Sequence, residues 1–169
     1  MKKVNKHYSK NTASKKQSPP PKPAKKSNKL SDHFSKKDFD CRCGKCKSSL
    51  RISLGLLGGL ELLRSLAKQK VFIVKGYQCP DSAENQRKIK RNFHTTGVAA
   101  DITIEKIDLK AAFLLAEEVP EFMGIGLDLE HQHVHVDTRK EKERALWIVT
   151  ENGETIPITE ENRAQYFDQ

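Results

Sequence analysis

The stretch VAADITI, residues 98–104, reads as a β-strand with two unlike faces. Side chains alternate along a strand, so Val98, Ala100, Ile102 and Ile104 point one way while Ala99, Asp101 and Thr103 point the other. An acid inside so apolar a strand is costly unless something compensates it. A second stretch, HVHVD at 133–137, repeats the pattern: Val134 and Val136 share one face, His133, His135 and Asp137 the other. Paired, the two strands would bury an apolar face and bring Asp101 near the histidines. His94 would reach the same place from the preceding loop, where Gly97 gives the chain freedom to turn back.

The remaining elements follow from these two strands. SLRISLGLLGGLELLRSLAKQK (49–70) carries Leu54, Leu57, Leu60 and Leu63 at helical spacing, and Gly55, Gly58 and Gly59 suggest close packing against something flat. VFIVKG (71–76) reads as a short buried strand. DLKAAFLLAEEV (108–119) reads as a helix capped by Asp108 and stopped before Pro120. In LSDHFSKKDF (30–39), Ser31 and Asp32 are the candidate caps of a short helix. GIGLDL and HVHVDT read as strands joined by a turn, and ALWIVT and ETIPI flank the hairpin signal Asn152-Gly153. Residues 79–97 are polar and irregular, long for a plain loop. The class expected is α+β: a small antiparallel sheet with helices on its core face. Helix 49–70 is expected over Val134, Val136, Ala100 and Ile102.

The chain has 169 residues and a net charge of +9, but the charge is uneven. Residues 1–29 hold ten lysines, four prolines and no acid, which leaves 21 basic and 22 acidic residues in the rest, a net of −1. A segment of that composition cannot bury enough surface to order itself, so 1–29 is expected to be a disordered basic tail and 30–169 the folded domain. The tail is read as a solvated leader or linker, or as an electrostatic attachment to an anionic polymer or membrane. The near-neutral body carries no recognisable nucleic-acid motif, which argues against a nucleic-acid partner. No 7–15-residue apolar run follows the basic start, so no usual signal peptide is expected. No stretch of about 18 apolar residues could span a membrane. The expectation is a soluble chain, cytoplasmic by default.

Two histidines and one carboxylate form a recurrent catalytic zinc set that leaves one position for water. A lone histidine is more often an ordinary core or surface residue. Here that reading would require three coincidences on matching faces, and the joint pattern favours a metal. Cys41, Cys43 and Cys46 lie in CRCGKC, and Cys79 lies in YQCP. Four such thiols are compatible with a structural zinc site, with two disulfides, or with free thiols.

HTTGVAADI resembles the H-x-x-G-x-A-x-D motif of the zinc D-Ala-D-Ala carboxypeptidase family, whose fold is shared with the hedgehog signalling domain. QHVHVDTR resembles that family's closing H-x-D strand, and LSDHFSKKDFDC, LELLR, KGYQCP and GIG resemble its other landmarks. The likeness spans roughly residues 30–149. It implies zinc ligands at His94, Asp101 and His135, and hydrolysis of the peptide stems of bacterial cell wall by a zinc-activated water. An exported or wall-associated location would follow from that substrate. In this chemistry a carboxylate takes the water proton and an arginine usually steadies the oxyanion.

The sequence departs from the family at several points. KGYQ stands where relatives have SGYR, so Gln78 replaces the arginine. Asn92 replaces a common serine two residues before the first histidine. Gln132 occupies the place of the base acid in many relatives. Glu130, then Asp128, are the candidates for the base. His133 is a candidate proton donor or substrate contact, and Asp137 a partner orienting a ligand imidazole. The departures leave a second reading open: a weakened relative that binds metal and cell-wall peptide without cutting.

Overall fold

A computed structural model of the chain describes residues 28–44, 46, 50–82 and 92–167. The expected tail, all but its last two residues, and positions 83–91 of the polar loop lie outside the described residues. Among the described residues the chain forms five helices and one six-stranded sheet: α1 (Lys36–Phe39), α2 (Leu54–Ala67), β1 (Val71–Lys75), α3 (Phe93–Thr96), β2 (Ala99–Ile104), α4 (Leu109–Glu117), β3 (Gly124–Asp128), β4 (His133–Asp137), β5 (Ala145–Val149), β6 (Thr155–Pro157) and α5 (Glu160–Phe167). The strands lie in the order β1-β2-β4-β3-β5-β6.

The α+β class is the one expected, and the two motif strands pair antiparallel as neighbours. One pairing differs from expectation: β5 joins β3 in parallel, which makes the sheet mixed. β4 already occupies the other side of β3, so the chain leaving β4 must cross to the far side before it can pair again. The Asn152-Gly153 hairpin then adds β6 antiparallel to β5, with Gly153 at φ +79° in the turn.

The apolar faces converge on one core. Ala100, Ile102, Val134, Val136, Ile125, Leu127 and Ile148 are buried beneath Leu56, Leu60, Leu63, Phe113 and Phe122. Helix α4 lies over β2, β3 and β4, while α2 packs against α4 and over the β1–β2 edge. The cover over Val134 and Val136 is therefore chiefly α4 rather than the expected helix 49–70. Asp108 caps α4 as expected, its carboxylate accepting from the Ala111 amide at 2.9 Å. The cap of α1 is Ser35, which shares a capping box with Asp38; Asp32 pairs with Lys29 instead of capping. Helix α5 carries no fully buried residue, and its polar sequence offered no apolar stripe to read.

The glycines of α2 divide by what they face. Gly59 is buried against the Phe122 ring, where a Cβ would lie 2.6 Å from the nearest ring carbon. Gly58 is exposed, with nothing within 4 Å of the position its Cβ would take. Gly58→Ala should therefore raise unfolding stability by about 0.5–1 kcal/mol through helix propensity. Gly59→Ala should lower it by about 1–3 kcal/mol through overpacking. Paired urea denaturation curves check both signs; equal effects would mean that Gly59 does not set the α2–Phe122 distance.

Candidate metal centre

The site is built on one rung of the sheet. Lys75 of β1 pairs with Asp101 of β2, Asp101 with His135 of β4, His135 with Gly126 of β3, and Gly126 with Trp147 of β5. Asp101 and His135 are thus direct cross-strand neighbours, and His135 Nδ1 lies 2.8 Å from Asp101 Oδ1. Gly126 leaves room for the Trp147 indole, which would collide with any Cβ there. The indole instead lies beside His135, with ring centroids 5.4 Å apart.

His94 comes from outside the rung. It sits on the single turn α3, capped by Asn92, whose side chain accepts from the His94 amide at 2.9 Å. Gly97 ends the turn at φ +73° and sends the chain into β2, and any side chain there would strike the Arg51 carbonyl. The Gly76 carbonyl can only accept, so His94 Nδ1 donates to it at 2.8 Å and Nε2 is turned inward. That Nε2 faces Asp101 Oδ1 at 3.3 Å.

His94, Asp101 and His135 each offer a ligand atom within 4.8 Å of the others, as a metal centre needs. Two imidazole nitrogens and a carboxylate oxygen suit a borderline divalent ion. The outer atoms are already held: His94 Nδ1 by the Gly76 carbonyl, His135 Nε2 by Asp137 Oδ2 at 3.1 Å. Asp137 in turn accepts from Arg139 through Nε at 2.8 Å and through a terminal nitrogen at 2.6 Å. Such contacts fix the ring orientation of metal-ligating histidines.

The electrostatics follow from these contacts. Burial works against an ionised Asp101, but hydrogen bonds from His135 and His94 outweigh it and hold its carboxyl well below the usual range. Burial would likewise depress His135, yet Asp101 and Asp137 raise it to about 9. Asp137, buried but bonded to Arg139 and His135, is lowered to about 2.

The three residues form part of the wall of a pocket of about 450 Å³, shared with Lys75, Gln78, Phe93, Asp128, His131, His133, Arg139 and Trp147. His133 Nε2 stands between two carboxylates, 3.5 Å from Asp101 Oδ2 and 3.6 Å from Asp128 Oδ2. Gln78 is buried in the lining, its side-chain oxygen accepting from Asn92 at 2.8 Å and its backbone N–H donating to the His94 carbonyl at 3.3 Å. Glu130 is not among the pocket-lining residues; its carboxylate lies over Gly153 and 3.6 Å from His131. Gln132 also points elsewhere, donating to the Leu129 carbonyl at 2.8 Å.

Lys75, Phe93, Arg139 and Trp147 escaped the sequence reading. Strict alternation puts Lys75 on the core face with Val71 and Ile73, but a register shift between Ile73 and Lys75 turns it opposite Asp101, its Nζ 3.7 Å from Oδ2. Trp147 lies on an apolar strand with no polar contrast to mark its exposed face. The signal available for Arg139 was its place two residues after Asp137.

The sequence profile of the Peptidase M15 family matches residues 32–137, a span that contains His94, Asp101, Asp128, His133 and His135. No curated protein matches the chain.

In protein stripped of divalent ions, Asp137 and His135 should give folding stability a pH window. The contribution of Asp137 is present above its ordinary 3.8 and lost as the pH falls through about 2. That of His135 is present below its ordinary 6.5 and lost as the pH rises through about 9. Denaturation midpoints measured across pH should decline on both sides of this window, and Asp137→Asn should flatten the acid limb. An unchanged acid limb would mean that Asp137 is not ionically held.

Proposed function

The chain belongs to the Peptidase M15 family of metallopeptidases, and on that premise we propose that it is a zinc peptidase hydrolysing peptide bonds in bacterial peptidoglycan stem peptides. The observation that carries this reading is the convergence of His94, Asp101 and His135 within 4.8 Å on the floor of a pocket. We take 30–169 as the peptidase domain and 1–29 as an appended basic tail. Among the described residues no helix is long and apolar enough to cross a membrane. Acting on the wall would require the protein to be exported or wall-associated.

His94 through Nε2, Asp101 through a carboxylate oxygen and His135 through Nδ1 would hold the ion. When bound, zinc polarises a scissile carbonyl and brings the pKa of its water toward neutrality. The remaining work falls to the side chains around it. Asp128 and His133, adjacent in the pocket, are the pair suited to accept the water proton and deliver it to the leaving amine. The geometry favours Asp128 over Glu130 as the base, because Glu130 turns toward the 150–154 hairpin.

Gln78 offers only a neutral donor where relatives have arginine. The cation facing the rung is instead Lys75, three residues earlier and across from Asp101. Lys75 suits a developing oxyanion or the terminal carboxylate of a stem peptide. A carboxypeptidase and an endopeptidase would use it differently, the first for the free carboxylate of the chain end.

The reading of a metal- and peptide-binding relative without activity rests on Gln78 and Gln132. The test is mass-spectrometric analysis of peptidoglycan and synthetic stem peptides incubated with zinc-loaded protein. Cleavage abolished by chelation and restored by zinc is expected. Asp128→Asn should lower kcat by about 10²–10⁴-fold, and Glu130→Gln should leave it nearly unchanged. The reverse ranking would return the base to Glu130. Peptide binding without cleavage, in both the parent and Gln78→Arg, would favour the inactive relative.

A further inference from the structure

Among the described residues, one cluster of metal-type ligands outside the pocket floor is left unused by the proposed chemistry. Cys41, Cys43 and Cys46 follow α1, and Cys79 follows β1, yet their four Sγ atoms all lie within 4.8 Å of one another. We propose that these cysteines form a second, structural zinc site with four thiolate ligands, which pins the segment 76–79 beside the pocket.

The distances suit that centre. With Zn–S bonds of about 2.3 Å, a tetrahedron has S···S edges of about 3.8 Å. Cys43 and Cys79 already stand 3.6 Å apart, far longer than a disulfide bond, and none of the four is disulfide-bonded. Two bridges would join the sulfurs in pairs and give no reason for all four to converge. Four protein ligands close the coordination shell, as in structural rather than catalytic zinc sites. Cys79 is fully buried and the other three are half-buried.

The backbone is arranged for thiolates. Gly44, at φ +69°, turns the chain so that the Cys46 amide donates to Cys43 Sγ at 3.3 Å. The Cys79 amide donates to Cys41 Sγ at 3.4 Å. Such donors stabilise charge on metal-bound sulfur. The stretch RCGKCK (42–47) carries three cations and no acid against the net negative charge of a zinc tetrathiolate. On binding, each thiol gives its proton to solvent.

The site would hold two chain segments together next to the pocket. The Tyr77 amide donates to the Phe39 carbonyl at 2.9 Å, and Gly76 packs so closely on the Phe39 backbone that no side chain fits between them. Gly76 is the residue whose carbonyl orients His94, and Gln78 adjoins Cys79. A metal tying Cys79 to the 41–46 loop would therefore hold both contacts in place without touching substrate.

The test uses full-length protein expressed with zinc, with metal content measured beside thiol titration. The wild type should hold about two zinc ions per chain, and His94→Ala/His135→Ala about one. The ion retained in that variant, exchanged for cobalt, should show intense thiolate-to-cobalt charge transfer and resist thiol reagents until chelated. Cys46→Ser should lose it, and Cys46→His should regain it. Equal metal content in wild type and His variant, with the thiolate spectrum present, would defeat the pocket-floor metal and leave this site standing. A His variant with no metal and four reactive thiols, or one whose intact mass shows two disulfides, would overturn the proposal. Should the cysteine variants fail to fold, the cobalt spectrum of the His variant decides alone.

Discussion

The contact on which the rest of the molecule depends is the cross-strand pair Asp101–His135. A carboxylate and an imidazole face each other at 2.8 Å, on strands whose opposite faces are entirely committed to the core. The pair and the core specify each other. Sliding β4 by one residue against β2 would bury His133 and His135 under α4 and expose Val134 and Val136. The apolar cost of that slip enforces the polar register. Two of the three residues best placed to hold a metal, Asp101 and His135, are therefore positioned by hydrophobic burial on the opposite face, on strands rather than loops, where small displacements are resisted.

That dependence explains what was legible in the sequence. Alternation is a local property, so VAADITI and HVHVD disclosed both their strands and the faces of Asp101, His133, His135 and Asp137. The Asp108 cap and the Asn152-Gly153 turn were readable for the same reason. The features that escaped are set by tertiary geometry. The parallel β3–β5 pairing depends on β4 already occupying one side of β3. The turn of Lys75 onto the polar face depends on a register irregularity that strict alternation conceals. The choice between Glu130 and Asp128 depends on which way a turn points its side chains, and spacing from His135 does not report that. Asp128 is in register with His133, whereas Glu130 falls beyond the end of β3.

The departures at Gln78 and Gln132 read differently once the neighbours are considered together. Gln78 is not a vacated arginine position: its oxygen is tied to Asn92, itself the cap that delivers His94. KGYQ thus differs from SGYR at both ends, with a cation gained at one and lost at the other. The positive charge stays beside the polar face but moves from the loop onto the end of β1, opposite Asp101. Gln132 adopts a positive φ of 56° and bonds its side chain back to Leu129, which makes it a turn residue.

Arg139 joins parts of the chain that sequence distance keeps apart. Its guanidinium grips Asp137 and lies 4.4 Å from the ring centre of Phe93 and 5.3 Å from that of Trp147. Phe93 belongs to the turn that carries His94, while Trp147 belongs to β5, beyond the span matched to the family. One planar cation therefore acts as a rivet through three layers: the histidine turn, the carboxylate behind His135, and the indole wall. A displacement of any one is transmitted to the other two. The strands after residue 137 are thereby made part of the site's stiffness, although they contribute no candidate ligand to it.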